Sequence, residues 1–189
     1  MRIHPFVLYG YNLLPVKNDD SYWQWMGFIR QASALTHAHD RSVMACHIYG
    51  HCLSFLLREP TKQSLREGLQ FARAALDYLP EFEHYTRVCD PKIEQLTAED
   101  IKSTGYVVDT LEAAMWCVLT TDTYRDCVPK AVNLGEDTDT VAAVAGGLAG
   151  ALYGYDAIPK EWLDKLLRRE YIEKLCKSAE ETWVNINMV

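Results

Sequence analysis

The chain has 189 residues, 49% hydrophobic and 24% charged, which suits one globular domain with a real core and is short for two. Its formal charge is -7, and no Lys/Arg cluster interrupts the acidic balance, which argues against a nucleic-acid or anionic-membrane surface. Met1-Arg2-Ile3-His4-Pro5 lacks the apolar core of a signal peptide, and the most apolar run, Val141 to Tyr155, is shorter than the ~20 residues of a membrane span, so a cytoplasmic protein is expected.

Helical periodicity dominates, and no run of strict alternation rises above noise, so an all-α fold is expected. After a turn around Asn12 to Asn18, Asp19 and Asp20 offer N-caps for a helix running to about Leu35. A second helix follows Asp40 and ends before Pro60, with Val43, Ile48, Leu53 and Leu56 toward a core. A third starts near Thr61 and stops before Pro80, carrying Leu65, Leu69, Ala72 and Leu76 at helical spacing. From Pro80 to Gly105, acidic residues and prolines interrupt any apolar face; this reads as a long excursion with one short helix at the capping-box pattern Thr97-Ala98-Glu99-Asp100. Val107 to Leu119 is a strong helix, and Thr123 to Leu134 another that Pro129 should kink or shorten. A last stretch begins with Pro159 at a first helical position and puts Trp162, Leu166 and Leu167 on one face. The six cysteines lack CxxC spacing and mostly sit in apolar helical stretches, where a thiol behaves as a small hydrophobe rather than as half of a disulfide framework.

The chemistry centres on one oxygen-rich loop, Gly135-Glu136-Asp137-Thr138-Asp139-Thr140. Asp137, Asp139 and Thr140 place two carboxylates and a hydroxyl within four residues, and hard cations such as Mg²⁺ take one or two carboxylates together with waters. In a regular helix residues i and i+2 point to nearly opposite sides, so both aspartates address one ion only if the first lies in the preceding turn, which Gly135 permits. The competing reading is that Asp137 or Thr138 merely caps the helix. Downstream, Ala142, Gly146, Gly150 and Gly154 recur at four-residue intervals; each helical glycine costs about 1 kcal/mol against alanine, so close approach of another helix is the expected reason.

The run from Asn133 to Ala143, followed by Gly146, Ala149-Gly150-Ala151, Tyr153-Gly154 and Ile158-Pro159 with Trp162, resembles the signature of the ADP-ribosylglycohydrolase family. Ser103-Thr104-Gly105-Tyr106, followed by the helix through Leu111-Glu112, resembles the family's loop before its metal motif. Leu35-Thr36-His37 is similar to its central Thr-His segment, and Met1-Arg2 with Pro5 to the Met-Arg-x-x-Pro after its substrate loop. The resemblance implies a single partial domain over residues 1–189, a helical bundle around a two-Mg²⁺ centre, and hydrolysis of the bond joining ADP-ribose to a protein side chain or a small conjugate. It further implies that Asp137, Asp139 and Thr140 hold metal, the two aspartates as the catalytic pair, and that His37, Gly105 and Tyr106 bind substrate, Tyr106 against adenine. Family members also carry an earlier Gly-Asp turn and a Thr-Asp-Asp-Thr metal motif, and neither occurs in this sequence. Three accounts of that compete: an internal Met mistaken for a start or a truncated gene, one half of a split enzyme completed by another chain, or a catalytically inactive ADP-ribose- or protein-binding relative. An uncovered apolar face would then favour association, including with a second copy.

Other residues have plainer readings. His39, His47 and His51 could be taken as zinc ligands, but no well-spaced cysteine or acid joins them. Glu112, one turn into its helix, reads as a solvated face or cap partner rather than a base. Tyr22, Trp23, Trp25 and Phe28 suit core packing or an uncovered surface.

Overall fold

In a computed structural model, which describes residues 2–13 and 18–186, the periodic stretches become α-helices, and among those residues there is no β-strand. They run α1 (Ile3–Leu13), α2 (Asp19–Ala34), α3 (Asp40–Arg58), α4 (Lys62–Leu76), α5 (Val107–Leu119), α6 (Tyr124–Val132), α7 (Thr138–Tyr153), α8 (Lys160–Leu163) and α9 (Arg169–Ile186). Local chemistry sets most of the starts. Thr61 and Thr123 cap α4 and α6 through hydroxyls that accept the Ser64 and Asp126 amides. The cap of α2 is Asn18 rather than Asp19 or Asp20: its side chain accepts the Ser21 amide while the Ser21 hydroxyl accepts the Asn18 amide, a reciprocal box that leaves both aspartates in the first turn. Part of the turn expected before it, residues 14–17, lies outside the described residues.

Two helices make the centre. Helix α5 is buried from Thr110 to Leu119 on every side, enclosed by α3, α6, α7 and the excursion, so its near-continuous apolar run signals a core helix rather than one amphipathic face. Helix α3 packs against α1, α2, α4, α5 and α7, and buries Val43, Ile48, Leu53 and Leu56 as expected. Leu65, Leu69, Ala72 and Leu76 of α4 complete that layer. Helix α6 ends at Val132, three residues past Pro129, so the proline shortens the expected helix.

The excursion is more ordered than its composition implies. It holds three 3-10 turns, Pro80–Tyr85, Pro91–Gln95 and Ala98–Asp100, where one short helix was expected. Phe82, Tyr85, Val88, Cys89, Ile93 and Ile101 are buried, pinning it to the core between charged residues that stay outside. Glu112 corrects the sequence reading: it is buried and paired with both Arg87 Nε (2.7 Å) and Arg87 Nη2, while Arg87 also donates to the Asp100 carbonyl (2.5 Å). The carboxylate therefore tethers the excursion to α5.

Two further expectations fail for packing reasons. The close approach on α7 falls at Gly147, where a Cβ would stand 2.7 Å from the Tyr49 hydroxyl and 2.9 Å from His4 Nδ1. Within the four-residue stripe, Gly146 meets α6 at ordinary contact distance (3.4 Å from a Cβ to the Tyr124 hydroxyl), Gly150 meets nothing within 4 Å, and Gly154 lies past the helix with φ +82°, so the stripe is not the line of closest approach. The last stretch also breaks: α8 stops at Leu163 with Pro159 as its N-cap, and Leu166 and Leu167 are exposed, so no common face with Trp162 is buried. Helix α9 is exposed along nearly all its described side chains and touches α1.

Candidate functional site

A cleft of about 760 Å³ opens where α1, the junction of α2 and α3, the 103–107 loop and the start of α7 meet. Its wall includes His37, Gly105, Tyr106, Asp137 and Thr140, which lie up to a hundred residues apart in sequence. Of the residues expected to form a site, Asp139 alone is not on that wall; it is exposed in the first turn of α7.

The acidic loop is shaped by two consecutive left-handed residues, Gly135 (φ +86°) and Glu136 (φ +52°). Glycine takes that region freely; a glutamate there costs about 1–2 kcal/mol, so surrounding bonds must hold it. Ser103 supplies them. Its buried hydroxyl reaches the carbonyls of Leu134 (3.3 Å) and Gly135 (3.1 Å), and its own carbonyl accepts the Asp137 amide (3.0 Å). The 103–107 loop is fixed in turn by Thr104, which donates to Asp109 Oδ2 (2.7 Å) and accepts the Tyr106 amide (3.1 Å), and by Thr110, which donates to the Thr104 carbonyl (3.1 Å).

Asp137 sits at the N-cap of α7 with φ -89° and ψ 64°, outside the helix proper, so the preceding-turn placement is met. Its carboxylate makes no capping bond. Instead Oδ1 accepts from the Thr140 hydroxyl (2.8 Å), and Oδ2 lies 3.0 Å from where a Cβ on Gly105 would stand. A side chain at 105 would crowd the carboxylate; glycine leaves it open to the cleft.

Oxygen donors alone line this corner, which suits a hard cation in kind. In number the set is short: Asp137 and Thr140 face the cleft, Asp139 does not line it, and no three His, Cys, Asp or Glu side chains converge among the described residues. An Mg²⁺ ion that keeps several waters needs no more than one or two carboxylates, so the residues fit a water-rich site.

The histidines are dispersed. His39 caps α3, its Nδ1 accepting the Arg41 amide (3.1 Å). His47 Nε2 lies 3.0 Å from the Met26 carbonyl, and burial pushes its pKa down to about 4. His51 packs among Tyr22, Trp25 and Phe71, and burial pushes its pKa down to about 3. Of the α2 aromatics, Trp25 is buried, Tyr22 and Phe28 half-buried and Trp23 exposed.

Arg41 escaped the sequence reading, and Ser103 entered it only as part of the family-like loop, with no role of its own. Arg41 looks like any first-turn cation of a helix, and Ser103 like any loop serine; only their contacts single them out. Arg41 reaches Glu81, His84 and Tyr106 at the cleft mouth.

With this geometry in place, a family model described as ADP-ribosylglycohydrolase matches residues 1–186. The chain is 38% identical over 148 residues to an ADP-ribosylarginine hydrolase of Serratia proteamaculans, covering 77% of this chain and 37% of that one. It is 34% identical over 133 residues to the ADP-ribosyl-[dinitrogen reductase] glycohydrolase of Rhodospirillum rubrum, covering 70% and 40%. A solved structure described as an ADP-ribosylglycohydrolase-related protein complex superposes with a TM-score of 0.71 at 32% identity, over 87% of this chain and 54% of that one. The chain spans about two fifths of the length of these curated relatives.

Proposed function

The chain belongs to the ADP-ribosylglycohydrolase family, and from that premise we propose that it serves hydrolysis of the glycosidic bond between ADP-ribose and a protein side chain, arginine being the first acceptor to try. The observation that carries this reading is the Asp137 carboxylate: it stands at a helix N-cap, is not spent on capping, and is turned with Thr140 toward the cleft beside Gly105.

Asp137 and Thr140 would hold Mg²⁺ from the cleft wall, and Asp139, exposed and off that wall, would have to reach the ion from outside it. Such an ion, when bound, polarises sugar oxygens and orients water for attack at the anomeric carbon. The chain's own part is to hold and orient: Ser103 fixes the acidic turn, Gly105 keeps the carboxylate accessible, Tyr106 offers a ring face for adenine at the mouth, and His37 lines the same cleft.

The short donor set favours one variant of this reading, in which a second chain supplies the remaining oxygen ligands and the chain alone binds ADP-ribose without cleaving its conjugates. Release of ADP-ribose from an ADP-ribosylated arginine peptide, with and without Mg²⁺, tests both. Mg²⁺-dependent release that Asp137→Asn abolishes supports the hydrolase; ADP-ribose uptake without release supports the binding half. If calorimetry finds neither Mg²⁺ nor ADP-ribose uptake, the reading is wrong.

A further inference from the structure

We propose that Arg41, itself held by Glu81, is the residue that positions Tyr106 at the mouth of the cleft. The guanidinium spends its fork on three acceptors from separate parts of the chain: Nε donates to Glu81 Oε2 (2.6 Å), Nη1 to the Tyr106 hydroxyl (2.9 Å) and Nη2 to His84 Nε2 (2.6 Å). It also lies 6.0 Å from the Tyr106 ring centroid. One side chain thereby joins the first turn of α3, the Pro80–Tyr85 turn and the N-cap residue of α5.

The base of this strut is firm. The Arg41 carbonyl accepts the hydroxyl of the buried Tyr85 (2.7 Å), and its amide is bound by His39. Tyr106, by contrast, follows Gly105 and is 43% exposed, so its ring has few packing contacts to choose a rotamer for it. A phenol tied to a fixed guanidinium loses that freedom before any ligand arrives, and the ordering cost no longer falls on binding.

The geometry also separates positioning from a direct anion contact. Glu81 does not line the cleft, whereas Arg41 and Tyr106 do. If Arg41 were there to meet a ligand's negative charge, the Glu81 carboxylate at 2.6 Å would compete with that ligand, and removing it would strengthen binding. If Arg41 holds Tyr106, removing Glu81 loosens the strut and weakens binding at a distance. A lysine cannot serve three diverging acceptors from one ammonium, so Arg41→Lys should behave like a loss.

The ligand side of this inference rests on the ADP-ribose reading above, so the test has two readouts. The chain labelled with 3-fluorotyrosine gives a fluorine resonance for Tyr106 identified by its disappearance in Tyr106→Phe. In Glu81→Gln and Arg41→Lys that resonance should move or broaden while those of the remaining tyrosines outside this cluster stay in place. ADP-ribose titrations should then show both variants weakened about tenfold, with Arg41→Lys adding nothing on top of Tyr106→Phe. An unmoved Tyr106 resonance in Glu81→Gln, or tighter ADP-ribose binding by that variant, overturns the proposal. A Tyr106 resonance that moves in a chain taking up no ADP-ribose supports the strut and sinks the ligand assignment alone.

Discussion

Asp137 occupies the position where an aspartate ordinarily satisfies a helix's free amides, yet its carboxylate bonds a side-chain hydroxyl and faces a cleft. Stability and function should therefore separate there. Asp137→Asn is expected to change the unfolding free energy by no more than about 0.5 kcal/mol while removing Mg²⁺ uptake; Thr61→Ala, which deletes a working cap, should cost about 1 kcal/mol. Urea denaturation beside Mg²⁺ calorimetry checks both. The Arg87–Glu112 pair makes a second prediction at this scale. The Glu112 side chain is 9% exposed and that of Arg87 49%, so the partners are not equivalent. Arg87→Ala strands a buried carboxylate and should cost about 3 kcal/mol; Glu112→Ala leaves a guanidinium that can turn to water and should cost about 1 kcal/mol. Equal losses in denaturant titrations would contradict that account.

At the scale of elements, α3 carries a polar pair through the core. His47 and His51 are both held neutral by burial, with folded pKa values of about 4 and about 3 against an ordinary 6.5. The unfolded chain therefore binds protons that the folded chain refuses as pH drops below 6.5. Each histidine should remove about 1.4 kcal/mol of stability per pH unit, down to about pH 4 for His47 and about pH 3 for His51. Above pH 6.5 neither contributes to the slope. His51→Phe keeps a ring among Tyr22, Trp25 and Phe71 and should remove about 1 kcal/mol per pH unit from the slope between pH 6 and 5, to which His47 and the buried His4 also contribute, measured from urea midpoints. In the excursion six buried apolar side chains, four of them single and Val88-Cys89 a pair, are scattered among polar and charged residues, so no window shows a periodic face, yet each finds a core site.

The whole molecule is layered around α5, with α3 and α7 against it and α9 at the outside. Local stability should follow that order. Amides of Thr110 to Leu119 are expected to exchange hydrogen most slowly, through global unfolding, and those of 170–182 fastest, through local fraying. Hydrogen exchange followed by mass spectrometry reads both, and slow exchange in α9 would mean that something covers it in solution. No helix among the described residues is long and apolar enough to cross a membrane; the apolar run of α7 buries Val141, Ala145, Leu148, Ala149 and Leu152.

The sequence alone determined the helical class, most helix limits and the family, because apolar spacing, caps and the long ordered motif from Gly135 to Gly154 are written along neighbouring residues. It also brought forward His37, Gly105, Tyr106, Asp137 and Thr140, which share a cleft wall. Tertiary structure decided what depends on partners distant along the chain: that Glu112 is buried against Arg87, that Gly147 rather than the glycine stripe admits its neighbours, that Ser103 holds the acidic turn and that Arg41 braces Tyr106. A charge or a hydroxyl looks the same in sequence whether it meets water or a specific acceptor, and folding alone brings that acceptor within hydrogen-bonding reach.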